Sequence, residues 1–371
     1  MKREIALSGP DITQAEIDAV VSVLKTPQLS LGPRVGEFER MFTQRLGVRH
    51  AISCNSGTSG LHLLWRAMGV GPGDEVITTP FSFIASSNSI MFVGAKPVFV
   101  DIDPRTWQLD ATKVEAAITP RTKALMPVDV FGSIPDMDAF QAIAKRRGLR
   151  VLEDSCEALG ASYKGRPAGT LADAGVFGFY PNKQITTGEG GMIVTSDDQI
   201  AFMCRSLRNQ GRDPDAGWLQ HARLGFNYRL CDINCALGTV QMQRCDEILA
   251  KRAQVAEWYR QRLSGERRLT MQHIPAEVKI SWFVLVVRLT DDHTQTRRDQ
   301  ILQQLRDAGV GCSNYFTPIH MQPFYGAQFG YKAGDFPITE ALSARTIALP
   351  FHNQLSEADV DYSVSALKKL L

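Results

Sequence analysis

A lysine set between an apolar β run and a glycine-rich turn is the residue of this sequence best placed for covalent chemistry. Lys183 stands in Gly178-Phe-Tyr-Pro-Asn-Lys183-Gln-Ile-Thr-Thr-Gly-Glu-Gly-Gly191, and another β run follows at once. A solvated lysine, with a pKa of ~10.4, is almost wholly protonated and is no nucleophile. Burial beside other cations lowers that value by several units and leaves an amine that can form an imine. The same segment also fits a solvated loop lysine beside a hairpin turn, and taken alone it supports both readings.

Three further clusters carry types and spacings that suit a flat, phosphorylated pyridine cofactor. Val151-Leu-Glu-Asp154 is an apolar run ending in paired carboxylates. One anion against a pyridine nitrogen keeps it protonated and makes the ring an electron sink. Asp154 is the residue chosen for that role, with Glu153 turned to the opposite face by strand alternation; a helix cap is the alternative for Asp154. Asn55-Ser-Gly-Thr-Ser-Gly60 opens a helical stretch, so Ser56, Gly57 and Thr58 are candidate phosphate ligands at its positive end, or simply a cap without a ligand. Thr79-Pro-Phe-Ser-Phe83 ends a strand with two aromatics; Phe83 has the chemistry to stack on a ring, and core packing is its alternative.

The elements that must position these residues read as follows. Runs at 50–54, 75–79, 97–101, 123–128, 150–154, 175–180 and 191–195 are β-rich and alternate with helical stretches. Such alternation implies right-handed crossovers and a largely parallel sheet covered on both faces, with ligands beyond the carboxyl ends of the strands. Residues 14–25 place Ile17, Val20, Val21 and Leu24 at helical spacing after Asp11 and Thr13, and are expected to lay that apolar face on the body. After about residue 235 the pattern changes to one long helix over 236–264, a strand over 281–289, a helix near 294–308 and a last helix near 356–371. A large α/β domain over 1–245 and a small C-terminal α+β domain over 246–371 are expected. The GVGPGD segment (69–74) precedes a strand and has Asp74 at the third glycine position of a dinucleotide fingerprint, so it is expected to form a type II turn.

Composition narrows the setting. Lys plus Arg number 41 against 39 Asp plus Glu, a net +2, so no global field recruits nucleic acid or an acidic membrane. The N-terminus lacks the continuous apolar stretch of a secretory signal, and no run approaches ~20 apolar residues, so a cytoplasmic location is expected. Seven scattered cysteines suit reduced, mostly buried thiols, and no metal site is expected.

In this order the motifs resemble those of the sugar-nucleotide aminotransferases of the DegT/DnrJ/EryC1/StrS family, within the fold-type I pyridoxal phosphate (PLP) enzymes. The likeness runs from LSLGP (29–33) through NSGTSGLHL, GDEVITTPFSF, PVFVDID, EDSCEALGA, NKQITTGEGG and GFNYRL to TPIH and LPFH. It implies an aspartate-aminotransferase-like fold with a mostly parallel seven-stranded sheet, and a homodimer whose active sites are shared between subunits. It further implies that Lys183 carries PLP as a Schiff base and that Asp154 pairs with the pyridinium nitrogen. Phe83 would stack on the ring, Gly57 and Thr58 would hold the phosphate, Glu157 would lie beside the phenolic oxygen, and Asn227 would reach the phosphate of the neighbouring subunit's cofactor. The reaction implied is ping-pong transfer from L-glutamate, through pyridoxamine phosphate (PMP), to a keto group of a nucleotide-linked sugar. A 4-keto-6-deoxy sugar is favoured over a 3-keto sugar, in amino-sugar synthesis for surface polysaccharide or lipopolysaccharide.

This chain departs from the family pattern at three points. Glu157 stands where many relatives have Gln; an ionised carboxylate would repel a phenolate, so the position calls for a protonated or a turned-aside side chain. Gly178 replaces a phosphate-binding Ser. Asp129 replaces the His of a Pro-Val-His segment and is expected to alter the substrate pocket. The rival readings are a PMP-dependent sugar dehydratase, against which Lys183 argues because such relatives carry His there, and a non-catalytic regulator of the same fold.

Overall fold

In the computed structural model, which describes residues 3–213, 215, 217 and 219–371, seven strands form one sheet. Their order is His50–Cys54, Gly191–Thr195, Ala174–Gly178, Arg150–Asp154, Thr122–Leu125, Glu75–Thr78 and Lys96–Phe99. Neighbours from Ala174–Gly178 through to Lys96–Phe99 run parallel, and Gly191–Thr195 runs antiparallel to both of its neighbours. All the expected runs are strands of this sheet, but those expected to end at 79, 101, 128 and 180 stop earlier. The trailing residues Val128, Phe179 and Tyr180 line the cavity described below, with Val128 still bridged to Asp154 and the Phe179 N–H still donating to Gly190 O.

Both faces are covered, which is why the strands read as apolar runs rather than as alternating ones. On one face Phe38 and Phe42 of the helix Pro33–Leu46 and Phe140 of Met137–Arg147 pack with Ile77, Val151 and Phe177. On the other, Leu61, Leu64 and Trp65 of Gly57–Ala67 and Leu207 of Asp198–Arg208 pack with Ile52, Leu152 and Val176. Strand alternation therefore sends Val151 and Glu153 one way and Leu152 and Asp154 the other.

The C-terminal part has its own three-stranded antiparallel sheet of Leu269–Met271, Leu285–Leu289 and Thr346–Leu349. Helices Cys245–Leu263, Gln295–Asp307 and Glu357–Lys368 close over it around Tyr259, Leu285, Val287, Leu305 and Val364. Ile5 also packs in this core. No helix among the described residues is long and apolar enough to cross a membrane.

Several expectations need correction. The long helix over 236–264 is two helices, Asp232–Gln243 and Cys245–Leu263, broken at Arg244, whose guanidinium donates to Asp11, Glu16 and Glu247. The strand over 281–289 is ordered as a strand only over Leu285–Leu289; Ser281 instead donates its N–H to Gly132 O at 3.0 Å. The first helix, Gln14–Leu24, is capped by Thr13 as expected but does not bury the expected face. Glu16 is drawn inward by Arg244 (2.7 Å) and Gln241 (2.8 Å), which leaves Ile17 48% and Leu24 55% exposed. The Gly71-Pro-Gly-Asp74 turn has the expected geometry: Asp74 N–H donates to Gly71 O, and Gly73 takes φ +90°, a value that suits glycine at the third turn position.

Candidate active site

The carboxyl ends of the parallel strands open on a cavity of about 740 Å³. Gly57, Thr58, Phe83, Asp154, Glu157 and Lys183 all line it, although they come from four separate stretches of the chain. Asn227 does not: it is exposed, on a segment bridged to Asn209, outside this chain's cavity. Of the other polar residues near these motifs, Tyr315 lines the cavity. His320 is fully buried with Nε2 3.0 Å from Glu340, and Arg229 donates to Asn209 Oδ1 at 2.9 Å, both away from it.

Asp154 sits at the end of its strand, 3% exposed. Its Oδ2 accepts from Ser86 Oγ at 2.7 Å and its Oδ1 from the Cys156 N–H at 3.2 Å. These two donors fix the plane of the carboxyl. Glu153, one residue earlier, turns the opposite way and accepts from the N–H groups of Gly169 (2.8 Å) and Leu171 (2.9 Å).

Lys183 stands in a tight loop between the strands Ala174–Gly178 and Gly191–Thr195. Its own N–H donates to Tyr180 O, and Thr187 N–H and Thr186 Oγ both return to Phe179 O. Its Nζ lies 3.4 Å from Glu157 Oε1 and 4.0 Å above the ring centroid of Phe283. The second oxygen of Glu157 accepts the Phe131 N–H at 2.9 Å. Phe131 has φ +61°, a strained value for a bulky residue. Gly132 follows at φ +82°, where a Cβ would collide with Ser281 O. Glu157 is therefore not turned aside but faces the amine. Burial pushes its carboxyl above the usual range, while the charge of Lys183 and the Phe131 N–H act in the other direction.

The helix Gly57–Ala67 begins at the cavity wall, with Ser56 as its cap and Ser56 Oγ accepting from Ser59 N–H at 3.0 Å. The first-turn N–H groups of Gly57 and Thr58 have no partner within the helix, and they sit at its positive end. A Cβ on Gly57 would come within 2.7 Å of Cys156 Sγ, so that thiol already fills the space beside the helix start. Gly178 is different: a Cβ there would meet Cys156 only at 3.5 Å, ordinary contact. Phe83, 60% exposed, stands at the mouth with an uncovered ring face.

These residues fit PLP. One wall offers a buried carboxyl with fixed orientation, another an amine, a third a helix start with free N–H groups, and the mouth a flat aromatic. Among the described lining residues, Lys183 is the only cation, against the carboxyl groups of Asp154, Glu157 and Glu189.

Asp129 does not line the cavity, which corrects the expectation that it alters the pocket directly. It lies one layer behind, fully buried, with its N–H donating to Asp154 O at 3.0 Å and both carboxyl oxygens without a hydrogen-bond partner. Burial, and next the adjacent Glu153, push its carboxyl well above the usual range. Glu153 is also raised by burial, to about 7, although its two N–H donors oppose the rise. Of the two, Asp129 is the one held neutral, since Glu153 has two N–H donors for its anion and Asp129 has only the Ser155 hydroxyl acting that way. Ser86 and Phe283 were not legible as site residues: neither follows a strand end, and each reaches its partner only through the folded chain.

Comparison with known proteins places the chain. The profile of the DegT/DnrJ/EryC1/StrS aminotransferase family matches residues 10–368. The GDP-perosamine synthase of Caulobacter vibrioides is 44% identical over 369 residues, covering 99% of this chain and 98% of that protein. Helicobacter pylori PseC, an aminotransferase involved in the biosynthesis of pseudoaminic acid, superposes with a TM-score of 0.93 at 30% identity over 99% of both chains. The PLP form of Spr1654 from Streptococcus pneumoniae gives a TM-score of 0.93 at 30% identity over 100% of both chains.

Proposed function

This chain belongs to the DegT/DnrJ/EryC1/StrS aminotransferase family, a PLP-dependent enzyme family, and from that premise we propose that it moves an amino group from L-glutamate to a keto group of a nucleotide-linked sugar. The observation that carries the proposal is the convergence of Lys183, Asp154, Gly57 and Thr58 on one cavity at the carboxyl ends of the sheet. The likeness to a GDP-perosamine synthase supports a nucleotide-linked sugar as acceptor. Glu157 and the Gly188-Glu-Gly-Gly191 turn lead us to favour a 4-keto-6-deoxy sugar over a 3-keto sugar, with the product used in surface polysaccharide or lipopolysaccharide.

When bound, PLP supplies an electron sink for the charge that develops at the reacting carbon. The chain's residues do the rest. Asp154, its plane set by Ser86 and Cys156, holds the proton on the ring nitrogen. Gly57 and Thr58 bind the phosphate through helix N–H groups, and Phe83 covers one ring face. Lys183 would hold the cofactor through its amine, and when free that amine would be the group that takes the proton from the donor's Cα. The same amine would return a proton to the aminated carbon of the sugar, and ping-pong kinetics would follow.

The proposal includes a cytoplasmic homodimer and a division into units over 1–245 and 246–371. Lys183, the one cation among the described lining residues, leaves polyanionic ligands short of positive charge, and Asn227 lies outside this chain's own cavity. A second subunit would supply both needs. The exposed apolar residues Leu29, Leu31 and Tyr180 offer surface for that contact. A core around Tyr259, Leu285 and Val364 that draws on residues after 245 apart from Ile5 supports the division, and a mixed cluster of Phe81, Phe131, Phe283 and Phe316 joins the two parts.

Borohydride reduction followed by peptide mass spectrometry tests the assignment of Lys183. Label on another residue would sink it. Incubation of the loaded enzyme with glutamate and a panel of UDP-, GDP- and dTDP-linked keto sugars tests the reaction; failure to aminate any of them would reject the sugar reading.

A further inference from the structure

Arg252 is a buried guanidinium on which Asp11 acts as an opposite charge only from a distance. It projects from the helix Cys245–Leu263, is 3% exposed, and among the described residues has no carboxylate within ion-pair distance. Burial pulls its pKa down, to about 10. Such a cation is costly to bury unless its donors are satisfied. Here Nη1 and Nη2 are spent on three main-chain carbonyls, while Nε is buried with no hydrogen-bond partner. Nη2 donates to Lys183 O at 2.7 Å and to Asn182 O at 3.3 Å, and Nη1 to Phe283 O at 3.2 Å. Phe351 lies against the guanidinium carbon, 5.7 Å from ring centroid to Cζ.

The three carbonyls are a particular set. Two belong to Lys183 and the residue before it; the third belongs to Phe283, the residue whose ring carries the Lys183 amine at 4.0 Å. One rigid fork therefore holds both the main chain from which the lysine springs and the seat on which its amine rests. A planar, five-donor group can do this in a fixed geometry; a lysine supplies a single ammonium.

We propose that Arg252 is a positioning residue for Lys183, a clamp from the C-terminal unit that returns the amine to one place in each half-reaction. The inference rests on the reading of Lys183 as the cofactor-carrying residue. Lys183 must leave and rejoin the cofactor in every turnover, so slack in its main chain appears in the rate of rejoining. Misplacement of a reacting group by about 1 Å costs on the order of 100-fold.

The test uses the full-length enzyme with Arg252→Gln and Arg252→Lys. Measured are the rate at which apoenzyme forms its borohydride-trappable link to PLP, the fraction trapped at saturation, and kcat and KM for the sugar acceptor. In Arg252→Gln the link is expected to form about 10–100-fold more slowly, with kcat falling in parallel and acceptor KM changed by less than about threefold. Arg252→Lys is expected to recover part of the loss. A merely structural arginine would lower the melting temperature and leave the linking rate alone. A folded Arg252→Gln enzyme that links PLP within about twofold of the wild-type rate overturns the proposal, since no misplacement would then be felt. Should the glutamine variant not fold, Arg252→Lys decides: an unchanged linking rate overturns the clamp. Lys183→Ala is the control. If it still traps PLP covalently, the reading of Lys183 fails whatever Arg252 does.

Discussion

Glu157 offers Lys183 one carboxyl oxygen at 3.4 Å while its other oxygen is pinned by the Phe131 N–H at 2.9 Å. The carboxyl cannot swing away without abandoning a buried N–H. Burial raises its pKa, so the neutral form persists above the ordinary carboxylate range and is lost as pH climbs through the raised value. If the neutral form serves the cofactor's phenolic oxygen, the wild-type rate falls along that limb. Glu157→Gln keeps an acceptor for Phe131 and a permanent donor for the cofactor. Its kcat/KM profile is expected to be flat there and to exceed wild type by about 3–10-fold at the alkaline end. Parallel profiles would refute this role.

Gly57 and Cys156 compete for one volume. Gly57→Ala brings a methyl to within 2.7 Å of Cys156 Sγ, and the helix start must shift. PLP affinity is expected to drop by about 10-fold, one lost hydrogen bond to a charged group. Cys156→Ala alone should be mild, and the double variant should recover affinity. A titration of cofactor fluorescence reads this, and additive losses would exclude the steric account.

Gly178→Ser tests the opposite case. A Cβ there meets Cys156 only at 3.5 Å, so the hydroxyl fits without displacement. With the phosphate held where Gly57 and Thr58 line the cavity, the added donor is expected to tighten PLP by about 3–10-fold, the ordinary worth of one hydrogen bond. Weaker binding would show that the phosphate lies elsewhere.

Asp129 predicts a pH-dependent stability. Its folded pKa is raised, so the folded state binds the proton more tightly than the unfolded chain does. Stability is then greatest below the unfolded value of ~3.9 and declines as pH rises towards the folded one. Asp129→Asn removes that dependence. Its melting temperature relative to wild type is expected to climb by roughly 2–4 °C per kcal/mol of relieved penalty between pH 4 and pH 8, as monitored by calorimetry. A constant difference across that range would count against a neutral Asp129.

How much of this was legible beforehand depended on the range of the interaction. Lys183 and Asp154 could be read because each follows a β run, and a parallel sheet collects its ligands at those ends. Helix Pro33–Leu46 went unread although Pro33 and Gly47 punctuate it in the expected way. The break at Arg244 left no mark because the apolar period continues through it. The first helix was oriented wrongly because hydrophobic spacing knows nothing of Arg244, whose charge turns Glu16 inward from far along the chain. Phe283 and Arg252 act on Lys183 across the two parts of the molecule, and no local pattern encodes such a meeting.

The reversed strand Gly191–Thr195 has a consequence for biogenesis. It sits between His50–Cys54 and Ala174–Gly178, with His50 opposite Thr195 and Cys54 opposite Gly191. During translation the earliest strand thus emerges with no lateral neighbour and waits until Thr195 has cleared the ribosome. Such distant pairing slows folding and leaves an unpaired edge open to misassociation meanwhile. Nascent chains stalled before residue 191 should therefore lean on holdase chaperones, and those extended past 195 should not.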